Sequence, residues 1–235
     1  MSRRARIILI SIVALIAVLA VVDRVSVAVA QNEAANELAS NADFVRKPHV
    51  SVSGFPFLTQ VVGGRYDDVR VTGTLDVGEV HGAQLDARLR GVHVALSDLV
   101  KNDVKEIKID SALAAVTVSY AGLAQAIGVP GLTLAGSNGS VQASAGVDLP
   151  GVGTVNVSAR ADVLISTTAV HLAVRSINAA GLPVSAELLQ PFVQSIQVPV
   201  DLPSLPYGLK LVSVRSTSSG VVATTTAQGA VVATN

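Results

Sequence analysis

Apolar and polar residues alternate along most of the chain after Pro48. The most regular run is residues 154–163, whose apolar positions are Val155, Val157, Ala159, Ala161 and Val163. Residues 69–77 and 85–90 repeat the pattern. Alternation with a period of two is typical of β-strands, and one apolar face opposite one polar face is typical of antiparallel sheet. The pattern therefore predicts a mostly β protein.

Shorter stretches of the same texture predict further strands near residues 49–53, 104–118, 140–149, 168–177, 207–216 and 220–228. The alternation shifts by one residue at Gly91, which predicts a β-bulge there. Short helices are predicted after three N-cap serines, Ser97, Ser119 and Ser185. Five of the 9 Pro lie between residues 183 and 206, which predicts a rigid connection. Together these signals predict an α+β chain built on a long meandering antiparallel sheet, with an aliphatic β-sandwich as the alternative.

The first thirty residues have the composition of a targeting segment. An uncharged run over residues 7–22 follows three basic residues, Arg3, Arg4 and Arg6. As a helix this run is about 24 Å long, which is short for a hydrocarbon core of about 30 Å. Residues 28–30, Ala-Val-Ala, match the small-residue pattern before a signal-peptidase site. Residues 1–30 are therefore a cleaved signal peptide or an uncleaved anchor, and both would export the rest of the chain.

The remaining chain is predicted to form a helical connection over residues 31–42 and a single β-rich domain over residues 43–235. Its apolar faces are unusual for the size of their side chains, because 50% of residues are hydrophobic and only 3% are aromatic. Sandwiches of this length usually fill their centre with several large rings. Faces of Val and Ala either pack very closely or leave space for another apolar group, such as a lipid acyl chain.

Composition and motifs argue against several classes of protein. The net charge is zero, which disfavours a nucleic-acid binder. The absence of Cys excludes disulfides, thiolate metal sites and cysteine nucleophiles. No metal-binding spacing joins the four histidines, His49, His81, His93 and His171, and no nucleophile elbow occurs. Asp67 and Asp68 are adjacent in a predicted strand and cannot converge. The sequence predicts no catalytic site, no metal and no cofactor.

Residues 53–70, SGFPFLTQVVGGRYDDVR, differ from this background. The pieces Gly54-Phe55-Pro56-Phe57-Leu58-Thr59-Gln60, Gly64-x-Tyr66 and Val69 resemble the signature of the LmeA-like phospholipid-binding family of actinobacterial cell envelopes. The basic start, the apolar run ending in Asp23-Arg24 and the short helix before the signature also resemble that family. The resemblance covers nearly the whole chain, with low specificity beyond residue 183.

The resemblance implies an exported or membrane-anchored, non-enzymatic protein. It implies binding of phosphoinositide-type or other anionic phospholipid, and a tie to mannan elongation in lipoglycan synthesis. It also implies an elongated, curved antiparallel sheet wrapped on a helix, as in tubular lipid-binding modules. A membrane-bound glycosyltransferase of the envelope is an implied partner, and nucleic acid is not.

The candidate lipid-binding residues form two groups. One is the mouth of a slot, expected where Pro56 ends a strand, with members Phe55, Phe57, Leu58, Arg65 and Tyr66. The other is the apolar face of the most regular strand, with members Val155, Val157, Ala159 and Ala161. The competing interpretations are a well-packed β-corner for the first group and a filled sandwich for the second. A structural envelope domain that recruits membrane-bound enzymes without binding lipid is the alternative function.

Overall fold

The computed structural model describes residues 3–41, 43–101, 103–137, 139–149, 153–165, 169–179, 190, 193–194, 200–201 and 208–233. Its helices are α1 (Arg3–Asn41), α2 (Phe57–Gly63), α3 (Leu96–Lys101) and α4 (Tyr120–Ile127). Its strands are β1 (His49–Ser53), β2 (Arg65–Val77), β3 (Val80–His93), β4 (Glu106–Ser119), β5 (Thr133–Ser137), β6 (Ser140–Leu149), β7 (Gly153–Ile165), β8 (Ala169–Asn178), β9 (Val200–Asp201), β10 (Lys210–Ser216) and β11 (Gly220–Ala233). The predicted class, mostly β with a few helices, is confirmed.

The strands are divided between two antiparallel sheets instead of continuing as one. The six-stranded sheet has the order β1-β2-β3-β4-β11-β10, and the five-stranded sheet has the order β5-β6-β7-β8-β9. Helix α4 lies in the chain between β4 of the first sheet and β5 of the second, and the chain returns to the first sheet with β10 and β11. The alternation of apolar residues shows which face of a strand is buried but not which strands pair, so it gave no indication of this division.

Helix α4 has the boundaries that its sequence predicts. The hydroxyl of Ser119 accepts a hydrogen bond from the backbone N–H of Gly122 at 3.1 Å, which caps the first turn. Gly128 ends the helix in the left-handed conformation, with φ of 74°. Tyr120, the first residue of α4, joins the two sheets. Its hydroxyl lies 2.7 Å from the hydroxyl of Ser216, which donates to the carbonyl of Ser140 at 3.0 Å.

The phase shift at Gly91 is present, but it is not a β-bulge. The strand pairs keep one register on both sides of Gly91. Paired residues across β2, β3, β4 and β11 form one row of Val69–Leu89–Ala112–Ala227 and another of Tyr66–Val92–Ile109–Ala230. Both rows belong to one apolar cluster, although on each strand they are three residues apart. Residues three apart normally lie on opposite faces of a strand. All four strands therefore change phase at the same row, which keeps the register intact.

Two glycines mark this row. Gly91 on β3 has φ of 58° and Gly229 on β11 has φ of 60°. Asp110 on β4 lies between them in the sheet, since Ser111 pairs with Gln228 and Ile109 pairs with Ala230. Positive φ values are inexpensive only for glycine, so these two positions allow neighbouring strands to turn together. The predicted bulge at Gly91 is wrong, because the paired strands change phase at the same row and no strand gains an extra residue there.

Helix α1 is one uninterrupted helix of 39 residues. Residues Ile10–Ser40 are long and apolar enough to cross a membrane, by length and composition. The C-terminal part of α1 packs beside β1, where Ala35 joins Val50 and Val71 in an apolar cluster. The amide nitrogen of Gln31 donates to the carbonyl of Val52 at 3.4 Å. The same helix that carries the apolar run is therefore also part of the packing of the β domain.

The predicted helix after Ser185 and most of the Pro-rich connection lie outside the described residues.

Candidate functional site

Asp23 holds the start of α2 against helix α1. Its side chain is only 3% exposed, and one of its carboxylate oxygens accepts a hydrogen bond from the backbone N–H of Leu58 at 2.9 Å. The other oxygen accepts from the guanidinium of Arg24 at 2.6 Å. A buried carboxylate is costly unless it is paired and hydrogen-bonded, and both conditions are met. The carboxylate of Asp23, the first charged group after the apolar run, thus holds the start of α2 against α1.

Phe55 and Phe57, both expected at the mouth of a slot, have different surroundings. Phe55 is 67% exposed, and the guanidinium carbon of Arg24 lies 5.2 Å from its ring centroid. Phe57 is buried, and its ring centroid is 6.1 Å from that of Tyr66. Pro56 lies between the end of β1 and the start of α2, as predicted for a residue that ends a strand. The two rings therefore serve different surroundings, one at the surface and one in the interior.

Leu58, Tyr66 and Arg65 complete the first group of candidate residues. Leu58 is partly buried and contacts α1 through its backbone. Tyr66 is also partly buried, and its burial raises the pKa of its hydroxyl above the usual value. Arg65 is half exposed at the beginning of β2. The structure thus brings the rings of Phe57 and Tyr66 together and holds Leu58 against α1, with Arg65 next to Tyr66 at the beginning of β2.

Arg65 is engaged in an ion-pair cluster on β3 and β4. Its guanidinium donates to the carboxylate of Asp110 at 3.0 Å, and the same carboxylate lies 2.9 Å from Nε2 of His93. The hydrogen bond from Arg65 and then that from His93 hold the pKa of Asp110 below its usual value of 3.8. A phosphate at this point would meet Arg65 and His93, and it would compete with Asp110 for their N–H groups.

The apolar face of the six-stranded sheet is open along its centre. Side chains from β3, β4, β11 and β10 on this face are neither fully buried nor fully exposed: Leu85, Ala87, Leu89, Ala114, Val116, Val118, Ala223 and Val214. Helix α1 packs near β1 and β2, and α4 contacts β3 and β4. Leu89 packs at the edge of the buried cluster around Ile109, and Ala87 packs at the edge of the cluster around Val50. Among the described residues, the other six belong to none of the buried clusters. The central strip is a trough floored by small aliphatic side chains.

This trough contains apolar positions that the strand pattern had placed on one face, namely those of residues 85–90, without marking them as a candidate site. Residues 154–163, now part of β7, were the candidate face because their alternation is the most regular. Partial burial is a property of the assembled sheets, so the sequence carried no signal for preferring the six-stranded sheet. Only the shortage of large rings pointed to a face that lacks filling side chains.

The second group of candidate residues lies in the other sheet. Val155, Val157, Ala159 and Ala161 on β7 are between 0% and 5% exposed. The first three pack with Leu132, Ala143 and Ala145 under α4, and Ala161 packs with Tyr120 and Val141. The structure thus separates the two predicted groups. The mouth residues lie beside the six-stranded sheet, and the β7 residues lie in a closed core of the five-stranded sheet.

A cleft of about 420 Å³ lies between α4 and β5 at the edge of this core. Most of its lining is apolar: Ala121, Ala124, Gln125, Val129, Leu132, Thr133 and Leu134. Among the described residues, no group of three His, Asp or Glu side chains is arranged to hold a metal ion. The chemistry offered by the trough and by the cleft is therefore contact with apolar groups.

The structure thus combines a long apolar helix with a β domain whose six-stranded sheet carries partly buried aliphatic side chains on one face. The model of one family, LmeA-like phospholipid-binding, matches residues 21–226. The chain belongs to this family, which confirms the resemblance found in residues 53–70. The match begins just before Asp23-Arg24, so it includes the contact between α1 and α2. No curated protein matches the sequence.

Proposed function

We propose that this protein is a non-enzymatic phospholipid-binding protein of the cell envelope, and that acyl chains lie along the apolar trough of the six-stranded sheet. The observation that carries the proposal is the row of partly buried aliphatic side chains through the centre of that sheet. Such side chains usually face a filled core in a protein of this size. Membership of a phospholipid-binding family supports a lipid as the missing partner.

The small size of the trough residues favours an acyl chain. Ala87 and Ala114 are direct neighbours on β3 and β4, and the next residue in the row is Thr225 on β11. The short side chains of Ala87 and Ala114 would leave a shallow channel in the sheet surface, while Thr225 beyond them is buried, at 6% exposure. Each CH₂ group that leaves water for such a channel contributes about 0.8 kcal/mol. A chain of ordinary length would bind there without any catalytic group.

The head group would lie at the end of the trough where β2 begins and where β1 and β3 end. Arg65 is half exposed there and precedes Tyr66 in β2, and the ring of Tyr66 contacts that of Phe57. Guanidinium groups bind phosphate through charge-assisted and often bidentate hydrogen bonds. This chemistry supports an anionic phospholipid, and the phosphoinositide type is the specific proposal. Val155, Val157, Ala159 and Ala161 remain the proposed alternative acyl-chain site.

We propose further that α1 is retained as an anchor. Cleavage after Ala30 would remove Asp23, Arg24 and Val27. Asp23 accepts the hydrogen bond from the backbone N–H of Leu58 that joins α1 to α2. Val27 is itself buried, at 8% exposure. The basic residues before the apolar run support a domain on the outer side of the membrane. From that position it would support mannan elongation by presenting lipid to a membrane-bound glycosyltransferase.

Native mass spectrometry of the full chain, extracted with its lipids from its own envelope, tests the proposed function. A phospholipid that stays bound through gentle removal of detergent, at about one per protein, is the expected result. A bare protein mass from preparations that retain lipid on other envelope proteins would contradict the proposal. It would favour the alternative, a structural domain that recruits membrane-bound enzymes.

A further inference from the structure

Exposed apolar side chains are concentrated on one end of the domain. Outside α1, the large apolar residues that the structure leaves exposed include Phe55, Val62, Leu96, Leu99 and Val100. All five belong to α2, α3 or the segment just before α2. Among the described residues, the other four lie on separate segments: Val45, Leu113, Val212 and Val231. Single exposed apolar residues need no explanation, but a concentrated group marks an interaction surface.

Helix α3 presents its apolar stripe away from the protein. Leu96, Leu99 and Val100 have the i, i+3, i+4 spacing that normally faces a core. Here they are 38%, 43% and 77% exposed, and Asp98 is less exposed than its apolar neighbours on either side. A helix with this spacing and this orientation is arranged for a partner outside the molecule.

Helices α2 and α3 form one continuous surface. The backbone N–H of Val94 donates to the carbonyl of Gly64 at 3.0 Å, so the approach to α3 is tied to the end of α2. The two helices also contact each other. We call the surface formed by residues 55–63 and 96–101 the α2–α3 tip.

The α2–α3 tip lies level with the end of the apolar run of α1. Residues 7–22 carry no charge, and Asp23 and Arg24 are the first charged residues after them. Asp23 accepts a hydrogen bond from α2 itself, and Arg24 covers the ring of Phe55. If α1 crosses a bilayer, its first charged residues lie at the boundary between hydrocarbon and water, and α2 is fixed at that depth.

We propose that the α2–α3 tip is a membrane-docking surface that inserts its apolar side chains into the interface of the bilayer that α1 occupies. A bilayer is the expected partner because the exposed side chains of the α2–α3 tip continue the apolar surface of α1 sideways at the same depth. Phe55 beside Arg24 has the pairing of an aromatic ring and a basic side chain that favours the interfacial zone. Lys101, in the last turn of α3, adds a cation for lipid phosphates.

The other end of the domain provides an internal reference. β2 runs for 13 residues from Arg65, next to α2, to Val77. At about 3.3 Å per residue, the hairpin after Val77 is about 40 Å from the α2–α3 tip. Glu79 in that hairpin is exposed. A probe at Glu79 should therefore remain in water while probes on the tip contact lipid.

Single-cysteine labelling of the full chain tests the proposal, because the sequence contains no Cys. Val62→Cys, Val100→Cys and Glu79→Cys would each carry a bimane fluorophore, with the protein reconstituted in phosphatidylcholine–phosphatidylglycerol nanodiscs. We expect lipids with a nitroxide near the head group to quench the labels at 62 and 100 several-fold more than the label at 79. Water-soluble iodide should quench the label at 79 most strongly.

Equal quenching by nitroxide lipid at all three positions would overturn the proposal, and so would labels at 62 and 100 that neither quencher reaches, since these would indicate a protein partner. All three positions are exposed, so unchanged melting temperatures are expected and verify folding. The inference does not rest on lipid binding in the trough. A protein that carries no lipid in mass spectrometry would still show this quenching pattern if the tip docks on the membrane.

Discussion

The carboxylate of Asp110 lies against the backbone of Gly91, in the space that a Cβ atom on residue 91 would fill. This contact depends on two properties of glycine, its lack of a side chain and its φ of 58°. It places the acceptor for Arg65 and His93 at the row where four strands change phase together. Gly91 therefore connects the bend of the sheet to the ion-pair cluster at its edge.

Gly91→Ala should destabilise the domain and break the ion-pair cluster. The left-handed backbone costs a residue with a Cβ about 1–2 kcal/mol, and displacement of Asp110 adds to this cost. Gly78→Ala is the matched control, because Gly78 has φ of 57° and open space around it. Urea denaturation of both variants measures the difference. Equal losses would mean that the contact with Asp110 contributes nothing.

Part of the acid sensitivity of the domain should come from Asp110. Its pKa is lowered in the folded protein, first by the hydrogen bond from Arg65 and then by His93. The unfolded chain therefore binds a proton more readily, and the stabilisation is complete above the unfolded value of about 3.9. It is lost as the pH falls from there through the lower folded value.

Asp110→Asn should flatten this part of the stability profile while leaving the contributions of Asp76 and Asp86, whose pKa values are also lowered. Urea midpoints measured at a series of pH values below 5 would compare the variant with the unchanged protein. Parallel profiles would show that the cluster forms too weakly in solution to couple to folding.

Two alanine-to-phenylalanine variants separate the proposed acyl-chain sites. Ala114→Phe places a ring in the open trough, so we expect little change in melting temperature and a large loss of bound phospholipid. Ala159→Phe places a ring in the closed core around β7, where Ala159 is 1% exposed. Overpacking there should cost about 1–3 kcal/mol. Thermal melts and lipid co-purification of both variants are the measurements. The opposite outcome would assign the acyl chain to β7.

Arg65→Ala should weaken binding to anionic phospholipid vesicles more than to neutral vesicles of the same chain length. The contact is exposed, so the difference should shrink at high salt, and Arg65→Lys should restore it only in part. Arg70→Ala is the control for net charge, since Arg70 is paired with Asp86 on the polar face and is similarly exposed, 55% against 53%. Equal effects of the two variants would leave Arg65 without a head-group role.

N-terminal sequencing of the exported protein should find an intact α1. The expected reason is that Asp23 and Val27 are buried in contacts with the rest of the chain. A mature protein that begins at Gln31 would show instead that α1 is a cleaved signal peptide, and that residues 23–30 leave their contacts. Recovery of the domain from the cytoplasm would contradict export under either interpretation.

Alternation along the chain was sufficient to find most strands and their buried faces. It placed β6 over residues 140–149 and β7 around residues 154–163, because solvent and core alternate at the same period as the side chains. Capping chemistry located α4 for a similarly local reason, since Ser119 and Gly128 act on their own turns. The short β5 was missed because its five residues, which include Gly136, carry little alternation.

Features that depend on partners could not be predicted in this way. Gly91 signalled a change of phase, but only the pairing of β4 with β11 shows that Gly229 makes the same change and preserves the register. The family signature located residues 53–70 without showing that Phe57 faces inward to Tyr66 while Phe55 faces Arg24. The openness of the six-stranded sheet depends on which elements cover it, and no local pattern carries that information.

Because α1 is unbroken, it fixes the distance of the β domain from the membrane in the anchored protein. If α1 leaves the bilayer and continues without a hinge into contacts with β1, the domain cannot rotate relative to the helix or move away from the membrane surface. In the anchored protein, lipid moving along the trough would rise about 40 Å from the membrane surface, the length of β2, and no farther. The protein would then hold lipid at a fixed distance from the membrane instead of carrying it away. The acceptor of the lipid would have to reach the end of the six-stranded sheet farthest from the membrane, where Tyr120 joins the five-stranded sheet.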